Sequence, residues 1–224
     1  MIQSPPLLAI FDHDGVLVDS LDFHSRAWVE FGLRQNLPID HAFVRDTFGL
    51  TNYTIFERLF GRTLPKDEAQ ALGEIKEICY RDLARGRIEL MSGVQDLLAT
   101  LESQEFHLAI GSSGSRPNLF LTIESCGLEG RFKSIVGLED ISNGKPDPEV
   151  FLKAAERAGI SPRRCVVFED AIFGIEAAKA AGMYAVGVGT TNPLPLLTEA
   201  GADHVVETLK DYPVSRLAEI LRSR

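Results

Sequence analysis

The apolar run Leu7-Leu8-Ala9-Ile10-Phe11 passes without a break into Asp12-His13-Asp14-Gly15, and this junction restricts the fold more than any other feature of the chain. The run reads as a strand buried on both faces, as in parallel sheets. Acids at its end then fall at the carboxyl edge of the sheet, where open α/β sheets bind ligands. Similar runs recur at Leu108-Ala109-Ile110, Ser134-Ile135-Val136, Val166-Val167-Phe168 and Tyr184-Ala185-Val186. Segments of helical length separate the later runs: Pro117 to Ser125, Asp147 to Ala158, Ile172 to Ala181 and Leu194 to Ala200. Buried strands alternating with helices predict a doubly wound α/β domain with a parallel sheet.

From about Asp22 to Arg87 this alternation stops. Helix-like periodicity continues there, punctuated at Asn36-Leu37-Pro38 and Leu64-Pro65. An all-helical stretch after the first strand predicts an inserted cap over residues 21–89, with the core formed by 1–20 and 90–224. The 224 residues, 45% of them hydrophobic, suffice for an ordinary core without disulfides. Cys79, Cys126 and Cys165 show no pairing or zinc-ligand spacing, so reduced thiols are expected. A net charge of −9 argues against a nucleic-acid partner, since cations to neutralise a phosphate backbone are in deficit. No basic stretch precedes the short Leu7–Phe11 run and no segment is long enough to span a bilayer, so a cytoplasmic protein with no membrane partner is expected.

Residues two apart in extended backbone share a side, which would aim Asp12 and Asp14 at one ligand and turn His13 away. Gly15 permits a sharp departure from the strand. Two such carboxylates repel unless a cation or a proton lies between them. The chemistry they suit is nucleophilic attack by one, with the other moving a proton. An acidic turn of no catalytic meaning has the same local pattern.

The wider sequence separates these readings. Phe11-Asp12-His13-Asp14-Gly15-Val16-Leu17-Val18-Asp19-Ser20 resembles the first motif of the haloacid dehalogenase superfamily. Ile110-Gly111-Ser112, Gly144-Lys145-Pro146-Asp147-Pro148 and Phe168-Glu169-Asp170-Ala171-Ile172-Phe173-Gly174 resemble its second, third and fourth motifs, in the required order. The resemblance implies that Asp12 is the nucleophile and that Asp14 is the acid–base group. It implies that Ser112 and Lys145 hold the phosphoryl group and the nucleophile. It also implies Mg²⁺ bound by Asp12, the backbone carbonyl of Asp14, Glu169 and Asp170, with Asp170 the more dependable of the last two. Free N–H groups before the helix near Pro117 make Ser113 and Gly114 candidate phosphate contacts, with Arg116 beside them.

The position and helical content of the insert resemble the beta-phosphoglucomutase and phosphoglycolate phosphatase branch. That likeness makes His24, Trp28, Asn52 and Lys76 candidate substrate contacts. Three residues after Gly49, the mutases carry an arginine that grips a second phosphate, and here that position is Asn52. An amide cannot supply a bidentate charged clamp. Arg45 or Arg58 could take its place. The expected activity is therefore hydrolysis of a small phosphorylated metabolite, with phosphomutase activity as the alternative and a non-catalytic, metabolite-binding member as the remote one. Val18-Asp19-Ser20 and Leu90-Met91-Ser92-Gly93 are the two crossings between core and insert, and Gly93 is expected to make the second pliable.

Overall fold

A computed structural model describes residues 5–47, 52–210 and 212–224, at 45 and 46 for backbone alone. Gly49 and the side chain of Arg45 therefore lie outside the described residues. The chain divides into two units, Met1–Asp19 with Glu89–Arg224, and Ser20–Ile88.

The first unit is built on strands β1 (Leu7–Phe11), β2 (Phe106–Gly111), β3 (Phe132–Val136), β4 (Cys165–Glu169), β5 (Tyr184–Val188) and β6 (His204–Val206). All neighbours are parallel, in the order β3-β2-β1-β4-β5-β6. The chain moves outward from β1 to one side and returns to β4 on the other. Connections diverge between those two strands, which opens a crevice at their carboxyl ends. Every residue of β1 and β4 is buried, as their unbroken apolar runs require. Phe11 and Phe168, paired in register, stack with ring centroids 4.8 Å apart, adding about 1 kcal/mol to their burial.

The inserted unit contains α1 (Leu21–Gln35), α2 (His41–Thr47), α3 (Asn52–Phe60) and α4 (Lys66–Ala84). The predicted breaks act as expected. Asn36 adopts a left-handed conformation and its N–H closes α1 on the carbonyls of Gly32 and Leu33, while Pro65 precedes α4. Trp28 lies edge-on to Phe31 and Phe56 in the apolar centre of this unit.

The rest of the first unit adds α5 (Val94–Ser103), α6 (Arg116–Ser125), α7 (Glu149–Ala158), α8 (Ile172–Ala180), α9 (Leu194–Glu199) and α10 (Val214–Ser223). Gly93, expected to be pliable, is instead a packing requirement. Its φ is 86°, and a Cβ there would lie 2.5 Å from the Lys210 backbone. The second crossing is further tied by the Met91 N–H to the Leu17 carbonyl and by a bridge between Val18 and Leu90. Cys79, Cys126 and Cys165 form no disulfide among the described residues. Among the described residues, no helix is long and apolar enough to cross a membrane.

Candidate active site

Strand register assembles the site. Asp12 directly follows β1, and its N–H donates to the Phe168 carbonyl at 3.0 Å, which fixes it beside the end of β4. Glu169 ends β4, and Asp170 follows it. Ligand oxygens of Asp12, Glu169 and Asp170 all lie within 4.8 Å of one another, and all three residues are buried. Lys145 reaches into this group: Nζ donates to Asp12 Oδ1 at 2.7 Å and to Glu169 Oε1 at 2.5 Å. Burial opposes the charge on Lys145, but Asp12 and Glu169 outweigh burial and raise its pKa.

Two glycines make this packing possible. A Cβ on Gly174 would meet Glu169 Oε1 at 1.8 Å, and one on Gly15, where φ is 77°, would meet Asp170 Oδ2 at 2.0 Å. Glu169 Oε2 also accepts the N–H of Ala171 at 2.7 Å. The loop after β5 completes the frame. Thr190 Oγ1 donates to the Gly15 carbonyl at 2.6 Å and approaches Asp170 Oδ2 at 3.3 Å, and Asn192 donates to the Asp170 carbonyl. Sequence reasoning missed Thr190 and Asn192. The available signal was the polar run Thr190-Thr191-Asn192 just beyond the carboxyl end of a buried strand.

Three buried carboxylates face one ammonium, and the imbalance appears in their acidities. Burial, then the charges of Glu169 and Asp12, push Asp170 up to about 8 despite the Thr191 hydroxyl and Lys145. Glu169 is also raised, first by burial. Hard oxygen donors carrying surplus negative charge fit a hard divalent cation.

Asp14 departs from the expected arrangement. Extended backbone ends before it: the Leu17 and Val18 N–H groups return to the His13 carbonyl, and Gly15 N–H donates to the Val18 carbonyl. The two-residue alternation therefore does not carry Asp14 into the carboxylate cluster. Its carboxylate Oδ1 lies 3.0 Å from His13 Nδ1. The His13 ring is buried against Thr122 of α6 and engages Asp14. Burial disfavours charge on this ring, but the Asp14 charge and hydrogen bond, aided by Asp12, raise its pKa.

Ser112 follows β2 and is buried, with its N–H on the Val136 carbonyl. Its Oγ accepts the Gly114 N–H at 3.0 Å, so that donor is already engaged. Ser113 is exposed. Arg116 lies 3.7 Å from Asp140 and over the Phe120 ring, at the exposed start of α6.

The inserted unit holds its own polar group. Lys76, 2% exposed, bonds Glu77 Oε1 at 2.9 Å and His24 Nδ1 at 2.8 Å, and lies 5.4 Å from the Trp28 ring centroid. Asn52 Nδ2 donates to the same Glu77 oxygen at 2.9 Å. His24 stacks on Tyr80. Burial raises the Glu77 carboxyl, but Lys76, His24 and Asn52 together bring it below the usual range, so Glu77 is ionised. Arg58 is exposed on α3.

Residues 9–188 match the family model described as haloacid dehalogenase-like hydrolase. The chain is 33% identical to a beta-phosphoglucomutase of Bacillus subtilis, over 94% of this chain and 93% of that protein. It is 31% identical to a fructose-1-phosphate phosphatase of Escherichia coli, over 80% of this chain and 94% of that protein. The crystal structure of a beta-phosphoglucomutase from Clostridium difficile superposes with a TM-score of 0.81 at 26% identity, covering 98% of both chains.

Proposed function

The chain belongs to the haloacid dehalogenase-like hydrolase family, and from that premise we propose that it is a Mg²⁺-dependent phosphatase acting on a small sugar phosphate through an aspartyl phosphate on Asp12. The observation that carries this reading is the convergence of Asp12, Glu169 and Asp170 on one another with Lys145 inserted between two of them. A carboxylate held by a buried ammonium keeps its orientation, which a nucleophile needs. Asp12, Glu169 and Asp170 would hold Mg²⁺, which when bound supplies compensation for the charge of the transferring phosphoryl group. In this reading Ser112 donates to a phosphoryl oxygen, and Asp14 protonates the leaving oxygen and later takes a proton from the attacking water. His24, Trp28, Asn52 and Lys76 are the proposed contacts of the inserted unit, and Ser113 and Arg116 those near α6, the Gly114 N–H being engaged by Ser112 Oγ.

Metal affinity should depend on pH with a definite sign. Asp170 must be deprotonated to ligate, and its pKa is pushed up to about 8. Protons therefore compete below about pH 8, and affinity for Mg²⁺ should rise by up to about tenfold per pH unit before levelling off. The same shift means that the metal-free native state holds a proton which the unfolded chain, with an ordinary carboxyl near 3.9, gives up. Metal-free stability should thus fall from about pH 4 to about pH 8, and Mg²⁺ should restore it. Calorimetric titration across this range tests both signs, and a pH-independent affinity would contradict the assignment of Asp170 as a ligand.

Phosphatase and mutase share the first step and differ in what attacks Asp12 phosphate. The relation to a beta-phosphoglucomutase keeps the mutase as the second reading. Asn52, however, offers an amide already directed at Glu77, and the Lys76 charge is balanced by Glu77. Neither supplies an uncompensated cation for the second phosphate of a bisphosphate, so water is expected to win. With β-glucose 1-phosphate and a trace of the bisphosphate, inorganic phosphate should be the main product. Efficient conversion to glucose 6-phosphate with little phosphate release would establish the mutase instead.

A further inference from the structure

We propose that His13 is a positioning residue for the acid–base carboxylate: its Nδ1–H donates to Asp14 Oδ1, so that the proton exchanged during turnover is carried on Asp14 Oδ2. The inference rests on the proposed role of Asp14 in phosphoryl transfer. His13 sits between the nucleophile and the acid in sequence and is 1% exposed. Both ring nitrogens are engaged, Nδ1 with Asp14 Oδ1 at 3.0 Å and Nε2 with Thr122 Oγ1 at 2.7 Å. With Asp14 ionised, its carboxylate can only accept, which assigns the hydrogen to Nδ1. The Thr122 hydroxyl can donate or accept, so Nε2 is satisfied in either ring state. Thr122 is itself fully buried on α6, which anchors the far end of the ring.

The consequence falls on the two Asp14 oxygens. A proton on Oδ1 would meet the Nδ1–H head-on, so a protonated Asp14 carries it on Oδ2. A Cβ placed on Gly114 would lie 3.6 Å from Asp14 Oδ2 and 3.3 Å from Ser112 Oγ. Oδ2 and the proposed phosphoryl-binding hydroxyl therefore flank the same residue, and Gly114 brings no side chain between them. A leucine could fill the space of the buried imidazole without the cost of burying a polar ring, but it could not hold Oδ1.

The alternative is that His13 only satisfies the buried Thr122 hydroxyl. Three substitutions separate the roles. In His13→Asn the amide N–H₂ lies near the place of Nδ1, in His13→Gln near that of Nε2, and His13→Leu merely fills space. Two probes read the acid step through kcat/KM: fructose 1-phosphate, whose alkoxide leaving group needs a proton, and p-nitrophenyl phosphate, whose leaving group does not. We expect His13→Leu to lose about 10²-fold on fructose 1-phosphate and only a few-fold on the nitrophenyl ester. His13→Asn should recover more of the loss than His13→Gln. Equal losses on both esters, or better recovery by His13→Gln, would overturn the proposal. If the wild type hydrolyses neither ester, the phosphatase reading itself fails. Nitrogen-15 NMR of the wild-type ring is independent of substrate: a protonated Nδ1 supports the positioning role, and an unprotonated Nδ1 overturns it.

Discussion

Asp12→Asn should lower turnover by about 10⁴-fold or more while leaving the protein at least as stable as wild type without metal. The amide matches the carboxylate in size and its oxygen can still accept from Lys145, so the strand end keeps its packing. What disappears is the proposed nucleophile, together with the charge of one of three closely packed buried acids. Loss of that charge should ease the ionisation of Asp170, whose pKa is raised in part by Asp12. Steady-state kinetics and urea unfolding of the same preparation check it. A rate within about tenfold of wild type would remove Asp12 from the mechanism.

Lys145→Ala should damage both rate and fold. The ammonium is almost fully buried, bonded to Asp12 and Glu169, and 4.9 Å from the Phe151 ring centroid. Removing one partner of a buried ion pair leaves uncompensated charge, which typically costs about 3–5 kcal/mol. Three buried carboxylates then have no buried cation among them, so metal-free stability should fall by that order. Loss of a fixed charge beside the transferring group should also lower kcat/KM by about 10²–10³-fold. Mg²⁺ should return much of the stability, because it neutralises the same carboxylates, but little of the rate, because it cannot occupy the Lys145 position. The raised pKa of Lys145 sets the pH window: its stabilising contribution is complete below the ordinary lysine value and fades only as pH rises through the folded value. A Lys145→Ala protein as stable as wild type without metal would show that the pairing is not what holds the cluster.

Much of this architecture was legible because local pattern and chemistry agreed. Leu7–Phe11 is apolar throughout because β1 is buried throughout, and the acids after it mark the sheet edge. Glu169 and Asp170 repeat that arrangement one strand away, and the order of strands brings the two ends together. The insert was legible because α1 to α4 keep helical periodicity, with no strand between them among the described residues. The misreadings have physical causes. The alternation rule for Asp12 and Asp14 assumes extended backbone, and the chain turns at His13 one residue too soon. Thr190 acts on Gly15 and Asp170 across long sequence separations that no local pattern encodes. Gly174 read only as part of a motif, whereas its missing Cβ is the space that Glu169 fills. Gly93 looked like a flexible joint because close backbone packing and pliancy call for the same residue. The three-residue β6 is too short for its apolar pattern to stand out.

Phosphate that passes through a covalent bond to Asp12 can be trapped there. The most direct measurement mixes the enzyme with Mg²⁺ and a sugar phosphate, quenches in acid during turnover, and locates the phosphoryl group by peptide mass spectrometry. The expected result is an acid-stable, hydroxylamine-labile phosphate on the peptide containing Asp12, present in the wild type and absent from Asp12→Asn. Phosphate on Ser112 or on a histidine, or turnover at the wild-type rate with no phosphorylated peptide at any time, would contradict it.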